Sequence, residues 1–204
     1  MHKYILGGII TEMKKTKAQS KSGLRKVILK CDLSPGDVTM LAAAVRDLKR
    51  AHSNFLVDVR TSVPQIWENN PHLTKLDEKE PGVEVYKTEY PLIHASNSRP
   101  YHFIHGYAMH LEEILDVKIP VTEFKGDIHM SDIEKAWMSQ VQEIGVFQNY
   151  WILMAGGKFD YTAKWWSPLE YQKVVDHFKD KLLFVQCGQA DHFHPPLKGV
   201  VSLI

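Results

Sequence analysis

An α/β fold built on parallel strands is what this sequence predicts, and two stretches predict it. In the first, the apolar run Val27-Ile28-Leu29 has the length and composition of a strand. A Leu33-Ser34-Pro35-Gly36 turn follows. Val38, Leu41, Ala42, Val45 and Leu48 then recur at helical spacing, with Arg46, Asp47, Lys49 and Arg50 on the outer face. In the second, Trp151 to Met154 reads as a buried strand, Ala155-Gly156-Gly157 as a turn and Pro168 to Lys179 as a helix with proline in its first turn. Strand, glycine turn and helix in that order open a parallel sheet.

Composition narrows the class. The chain has 204 residues, 44% hydrophobic and 24% charged, ordinary values for a folded globular protein. A formal net charge of +1 argues against nucleic acid as a partner, because duplex binders carry a strong basic excess. Cys31 and Cys187 are far apart and form no CxxC, so buried reduced thiols are expected rather than a disulfide framework or a zinc site. No apolar run reaches the roughly 20 residues that span a bilayer. Tyr4 to Ile10 is short and runs into Thr-Glu-Met-Lys-Lys instead of a small-residue cleavage site, so it does not read as a signal core.

Residues 1–23 form a leader ending in the basic stretch KKTKAQSKSG, read as a solvated arm; contact with an anionic membrane surface or acceptor is the alternative. After the opening unit, Asn54 to Val59 is the second strand and Thr61 to Asn70 a short helix with Pro64 near its start. His72 to Leu76 and Val83 to Tyr86 read as short strands separated by a Pro81-Gly82 turn. Leu92 to Tyr101 is a polar loop. Phe103 to Leu115 is a helix with Ile104, Tyr107, Ala108, Leu111 and Leu115 on one stripe. Ser131 to Val141 is an amphipathic helix opened by a Ser131/Glu134 capping box. Beyond the second unit's helix, Leu183 to Gln186 and Val200 to Leu203 are strands, with a loop over Gly188 to Pro196 between them. The expected organisation is a domain over 24–147 and the beginning of a second over 148–204.

Four segments together resemble the ADP-heptose:lipopolysaccharide heptosyltransferases of glycosyltransferase family 9. They are Pro35-Gly36-Asp37-Val38; Val57-Asp58-Val59 through Asn69-Asn70-Pro71-His72-Leu73; His105 to Pro120; and Ile152 to Tyr171, where Thr162, Lys164, Trp166 and Pro168 match a K-x-W-P loop with Ser167 inserted. The resemblance implies a GT-B-like fold, with a Rossmann-like N-terminal domain on the acceptor side and the first part of a second Rossmann-like domain on the donor side. It implies a cytoplasmic enzyme, at most peripheral at the inner face of the membrane. Such an enzyme moves a heptose-like sugar from a nucleotide sugar to a glycolipid or polysaccharide with inversion, using no metal or other cofactor. It assigns Asp37 as base, with Gly36, Arg60 and His105 beside the acceptor. Lys164, Thr162, Gly156 and Gly157 fall to the donor. A donor half short of its nucleotide-gripping loop leaves two other expectations: a homo-oligomer or complementing C-terminal half, or a non-catalytic binding scaffold.

The residues themselves leave alternatives. Glycosyl transfer needs a base for the acceptor proton and positive charge for the departing diphosphate. Asp37 can do the first or merely cap its helix; Lys164 can do the second or sit solvated in a loop. Thr162 can donate to a phosphate or to its own loop. Asp191-His192-Phe193-His194 lacks the further ligands of a closed metal site. His94, His102, His105 and His110 read as surface or satisfied histidines, with His102 or His105 the candidates for an anionic acceptor. Trp165 and Trp166 can stack on a base or sugar, or pack their loop down.

Overall fold

A computed structural model describes residues 23–89, 101–159 and 164–204. The leader through residue 22, most of the 92–101 loop and Thr162 lie outside the described residues. The chain divides into two compact units, Met1–Lys135 and Ala136–Ile204.

The first unit is a parallel sheet with helices laid on it. Strand β1 (Arg25–Cys31) is central, flanked by β2 (Phe55–Thr61) and β3 (Val83–Lys87), in the order β2-β1-β3. Val27, Ile28 and Leu29 are all fully buried, which is why the central strand reads as a continuous apolar run rather than an alternating one. Helix α1 (Pro35–Ala51) connects β1 to β2, and α2 (Phe103–Leu115) packs against α1. Leu41, Val45 and Leu48 of α1 share one apolar cluster with Tyr107, Leu111 and Leu115 of α2 and with Val57 and Phe55 of β2.

Several expectations change. Helix α1 begins at Pro35 itself, so Gly36 lies in its first turn and not in a preceding glycine turn. Arg46 and Asp47 are not on an outer face: they are 2% and 1% exposed, because residues 119–127 run across them. The helix expected over 61–70 is one 3-10 turn, Pro64–Trp67. The strand expected over 72–76 is an extended segment making a single bridge, Leu73 to Val57. It covers the outer edge of β2, anchored where Leu76 N donates to the buried Asp58 carboxylate at 2.7 Å.

The long helix expected over 131–141 is two separate turns, α3 (Asp132–Lys135) and α4 (Gln140–Glu143). The Ser131/Glu134 capping bonds do form, but no residue of α3 is buried, so no apolar face extends it. Ser139 then takes an extended backbone and starts a second capping box with Gln142.

The second unit carries β4 (Tyr150–Leu153), α5 (Pro168–His177), β5 (Leu183–Cys187) and β6 (Val201–Leu203), its parallel sheet ordered β4-β5-β6. Phe184, Val185 and Gln186 of the central β5 are buried. Gln186 is satisfied by Pro195 O at 2.8 Å and Leu197 N at 3.0 Å. Strand β4 is not the buried strand expected: Trp151 and Ile152 are 63% and 61% exposed. Both cysteines are free thiols. Among the described residues no helix is long and apolar enough to cross a membrane.

Candidate functional site

In an open parallel sheet, ligands sit outside the carboxyl ends of the strands. In the first unit that edge is made where β1 ends at Cys31 and β2 at Thr61, which lie in register. Helix α1 starts four residues beyond β1, so the same edge carries its first turn. Ser34 is the N-cap residue and makes no side-chain cap hydrogen bond. Asp37 is the third helical residue, half-buried, and its carboxylate has no hydrogen bond or ion pair among the described residues. Capping therefore does not account for it. Gly36 has open space where a Cβ would stand and an ordinary φ, so its lack of a side chain keeps this turn accessible without relieving strain.

Arg60, near the same edge, is committed. Its Nη1 pairs with Asp58 Oδ2 at 2.6 Å and its Nη2 donates to Leu76 O at 2.8 Å, so it holds the 73–76 segment. His105 sits in the first turn of α2, its ring edge-on to Phe124 at 4.9 Å. His102, the α2 N-cap, also meets Phe124 edge-on at 5.1 Å and accepts from Ile104 N through Nδ1. Among the described residues, Asp37, Arg60 and His105 make no direct contact with one another.

In the second unit the corresponding edge is where the loops after β4 and β5 close on each other. Gly157 and Phe193 exchange both backbone hydrogen bonds, at 2.9 and 3.1 Å. Gly156 has φ +107°, and a Cβ there would stand 1.9 Å from Phe193 O, so only glycine fits. Trp165 stacks on Phe193 with centroids 5.0 Å apart, and Phe159 packs against both rings. Lys164, exposed, precedes this tryptophan. Two buried ring nitrogens, Trp165 Nε1 and His194 Nε2, have no hydrogen-bond partner among the described residues. The glycines thus serve the packing of this loop, while the two nitrogens are buried groups on it with unused polarity among the described residues.

Sequence reasoning missed one cluster altogether. His72, Asp127 and His129 come together in the first unit, each half-buried, with one ligand atom from each within 4.8 Å of the others. Their signal in the sequence was only Asp127-Ile128-His129, and the partner His72 is brought in by the fold. Burial first, then the nearby His129, Arg50 and Lys49 charges, hold the His72 imidazole below its usual pKa, with Asp127 opposing.

No protein-family description matches this chain, and no curated protein does. Two solved structures share its fold. One is the iron-containing dodecameric glycosyltransferase TibC from enterotoxigenic E. coli, 14% identical, at a TM-score of 0.57 over 88% of this chain and 49% of that one. The other is a family 9 glycosyl transferase from Veillonella parvula, also 14% identical, at a TM-score of 0.55 over 87% of this chain and 70% of that one. The chain therefore spans about half the length of the first and 70% of the second. At such identity the likeness speaks for architecture: an α/β, GT-B-like fold shared with glycosyltransferases.

Proposed function

We propose that this chain is a glycosyltransferase, or the part of one that carries the acceptor base, moving a heptose-like sugar from a nucleotide sugar such as ADP-heptose to a hydroxyl of a glycolipid or polysaccharide. The observation that carries the reading is Asp37: an accessible carboxylate in the first turn of α1, used neither as a cap nor in an ion pair among the described residues, in a fold shared with two glycosyltransferases. The Asp37 carboxylate takes the proton of the acceptor hydroxyl as its oxygen attacks the anomeric carbon. The bond from that carbon to the diphosphate breaks, and the nucleoside diphosphate leaves from the opposite face, inverting the centre. Lys164, with Thr162, meets the charge that develops on the leaving phosphate. With a lysine in that role the displacement needs no metal.

The reading places the enzyme in the cytoplasm, at most peripheral at the inner face of the membrane, where the basic 14–23 stretch would suit an anionic surface. A homo-oligomer fits the description of TibC as dodecameric. A second reading, a non-catalytic binding module, draws on the donor-side loop, whose glycines are filled by Phe193 and Trp165 of the same unit.

Calorimetric titration with ADP and ADP-heptose, for the chain and for Lys164→Ala, separates the two. Saturable binding lost in the variant supports the transferase. A folded chain that binds neither nucleotide leaves the binding module.

A further inference from the structure

We propose that His72, Asp127 and His129 form a binding site for one first-row divalent transition-metal ion, with Zn2+ or Co2+ as the fitting probe. This inference is independent of the transferase reading.

The donor set is two imidazoles and one carboxylate, which suits zinc, cobalt, nickel or ferrous iron and not the oxygen-seeking calcium or magnesium. The spacing is right. Ligands about 2.0–2.1 Å from a tetrahedral ion stand about 3.3 Å from one another. Asp127 Oδ2 lies 3.0 Å from His129 Nε2 and 3.8 Å from His72 Nε2, on either side of that value. The rings meet edge to face with centroids 6.2 Å apart, so their nitrogens converge on the carboxylate without stacking. Small rotations of two half-buried side chains close the set, and water would complete a tetrahedral shell.

An orienting group is already present. Buried Asn70 donates through Nδ2 to both Asp127 Oδ2 and Asp127 O at 3.3 Å, and its Oδ1 accepts from His72 N at 2.9 Å. One amide thus aims the carboxylate and fixes the backbone of a histidine ligand, the outer-shell role that metal sites require. The ion would join the segment after the 3-10 turn to the segment after α2. That second segment lies close along α1: a Cβ on Gly126 would stand 2.8 Å from Thr39 Cγ2, two residues beyond Asp37. The metal's role is therefore to fix the wall beside the first turns of α1.

The test is titration of the EDTA-treated full chain with Co2+, followed by visible d–d absorption and back-titration with Zn2+. The expected result is one equivalent bound, displaced by Zn2+, with a rise in Tm on loading. His129→Gln and His72→Gln should each weaken binding by at least about tenfold. His192→Gln, in the other histidine pair, should leave it unchanged. Circular dichroism establishes that each variant is folded, and His129, one-third exposed, is the safer substitution. The proposal is overturned by absence of a saturable equivalent in the folded chain. It is equally overturned if binding survives intact in folded His129→Gln, or is lost in His192→Gln instead.

Discussion

Replacing Asp47 with alanine should be among the most damaging single changes in the first unit. Arg46 and Asp47 are adjacent on α1, and their side chains are 3% and 0% exposed. Arg46 Nε and Nη2 donate to the two Asp47 oxygens at 3.1 and 3.3 Å. Its Nη1 and Nη2 also donate to Lys125 O and Glu123 O at 2.8 and 2.9 Å. Asp47 in turn accepts from Thr122 N at 3.1 Å and Thr122 Oγ1 at 2.6 Å. The pair is the clasp that binds the 119–127 segment to α1. Alanine would leave a buried guanidinium without its counter-charge and an unpaired Thr122 N–H. Removing one partner of a buried ion pair costs about 3–5 kcal/mol. A domain's whole stability is about 5–15 kcal/mol, so the loss is a large fraction of it. Urea unfolding followed by circular dichroism measures it, with Glu123→Gln as control. Glu123 pairs with Arg50 at 2.7 Å, both partners nearly half exposed, and such pairs contribute about 0–1 kcal/mol. Equal midpoints for the two variants would refute the clasp.

Four further outcomes are expected. Burial works to raise the Asp47 pKa, but hydrogen bonds from Arg46 and Thr122 outweigh it and hold the carboxyl below the usual carboxylate range. With the folded value the lower one, acid protonates the unfolded chain first. The stability difference between wild type and Asp47→Ala should hold steady above about pH 5 and shrink as pH falls below about 3.9; a pH-independent difference in acid unfolding curves would contradict this. Asp37→Asn should lower sugar transfer by about 10²–10⁴-fold with an unchanged Tm, read in a radiolabelled-donor assay; undiminished turnover removes Asp37 as the base. Gly156→Ala, at φ +107° and against Phe193 O, should destabilise the second unit by at least about 2 kcal/mol, seen as an earlier loss of near-ultraviolet dichroism. Leu111→Ala, fully buried between α2 and α1, should cost about 2–5 kcal/mol in urea.

What the amino-acid order determined by itself was local. The continuous apolar run of β1, the stripe of α2 and the proline at the start of α5 state their elements because periodicity and φ restriction act within a few residues. The position of Asp37 was legible for the same reason: it follows the strand at a fixed short distance. Tertiary structure decided everything that depends on a distant partner. Arg46 and Asp47 have the composition of an outer helical face, and only the 119–127 segment, which brings carbonyls and a threonine to them, makes them interior. Residues 131–141 have helical spacing and a good cap, yet with nothing for α3 to pack against the helix stops after one turn. Arg60 has the charge of a ligand-binding group, but the buried Asp58 claims it. His72 joins Asp127 and His129 only because the 73–76 segment folds back along β2, a contact that no local pattern encodes.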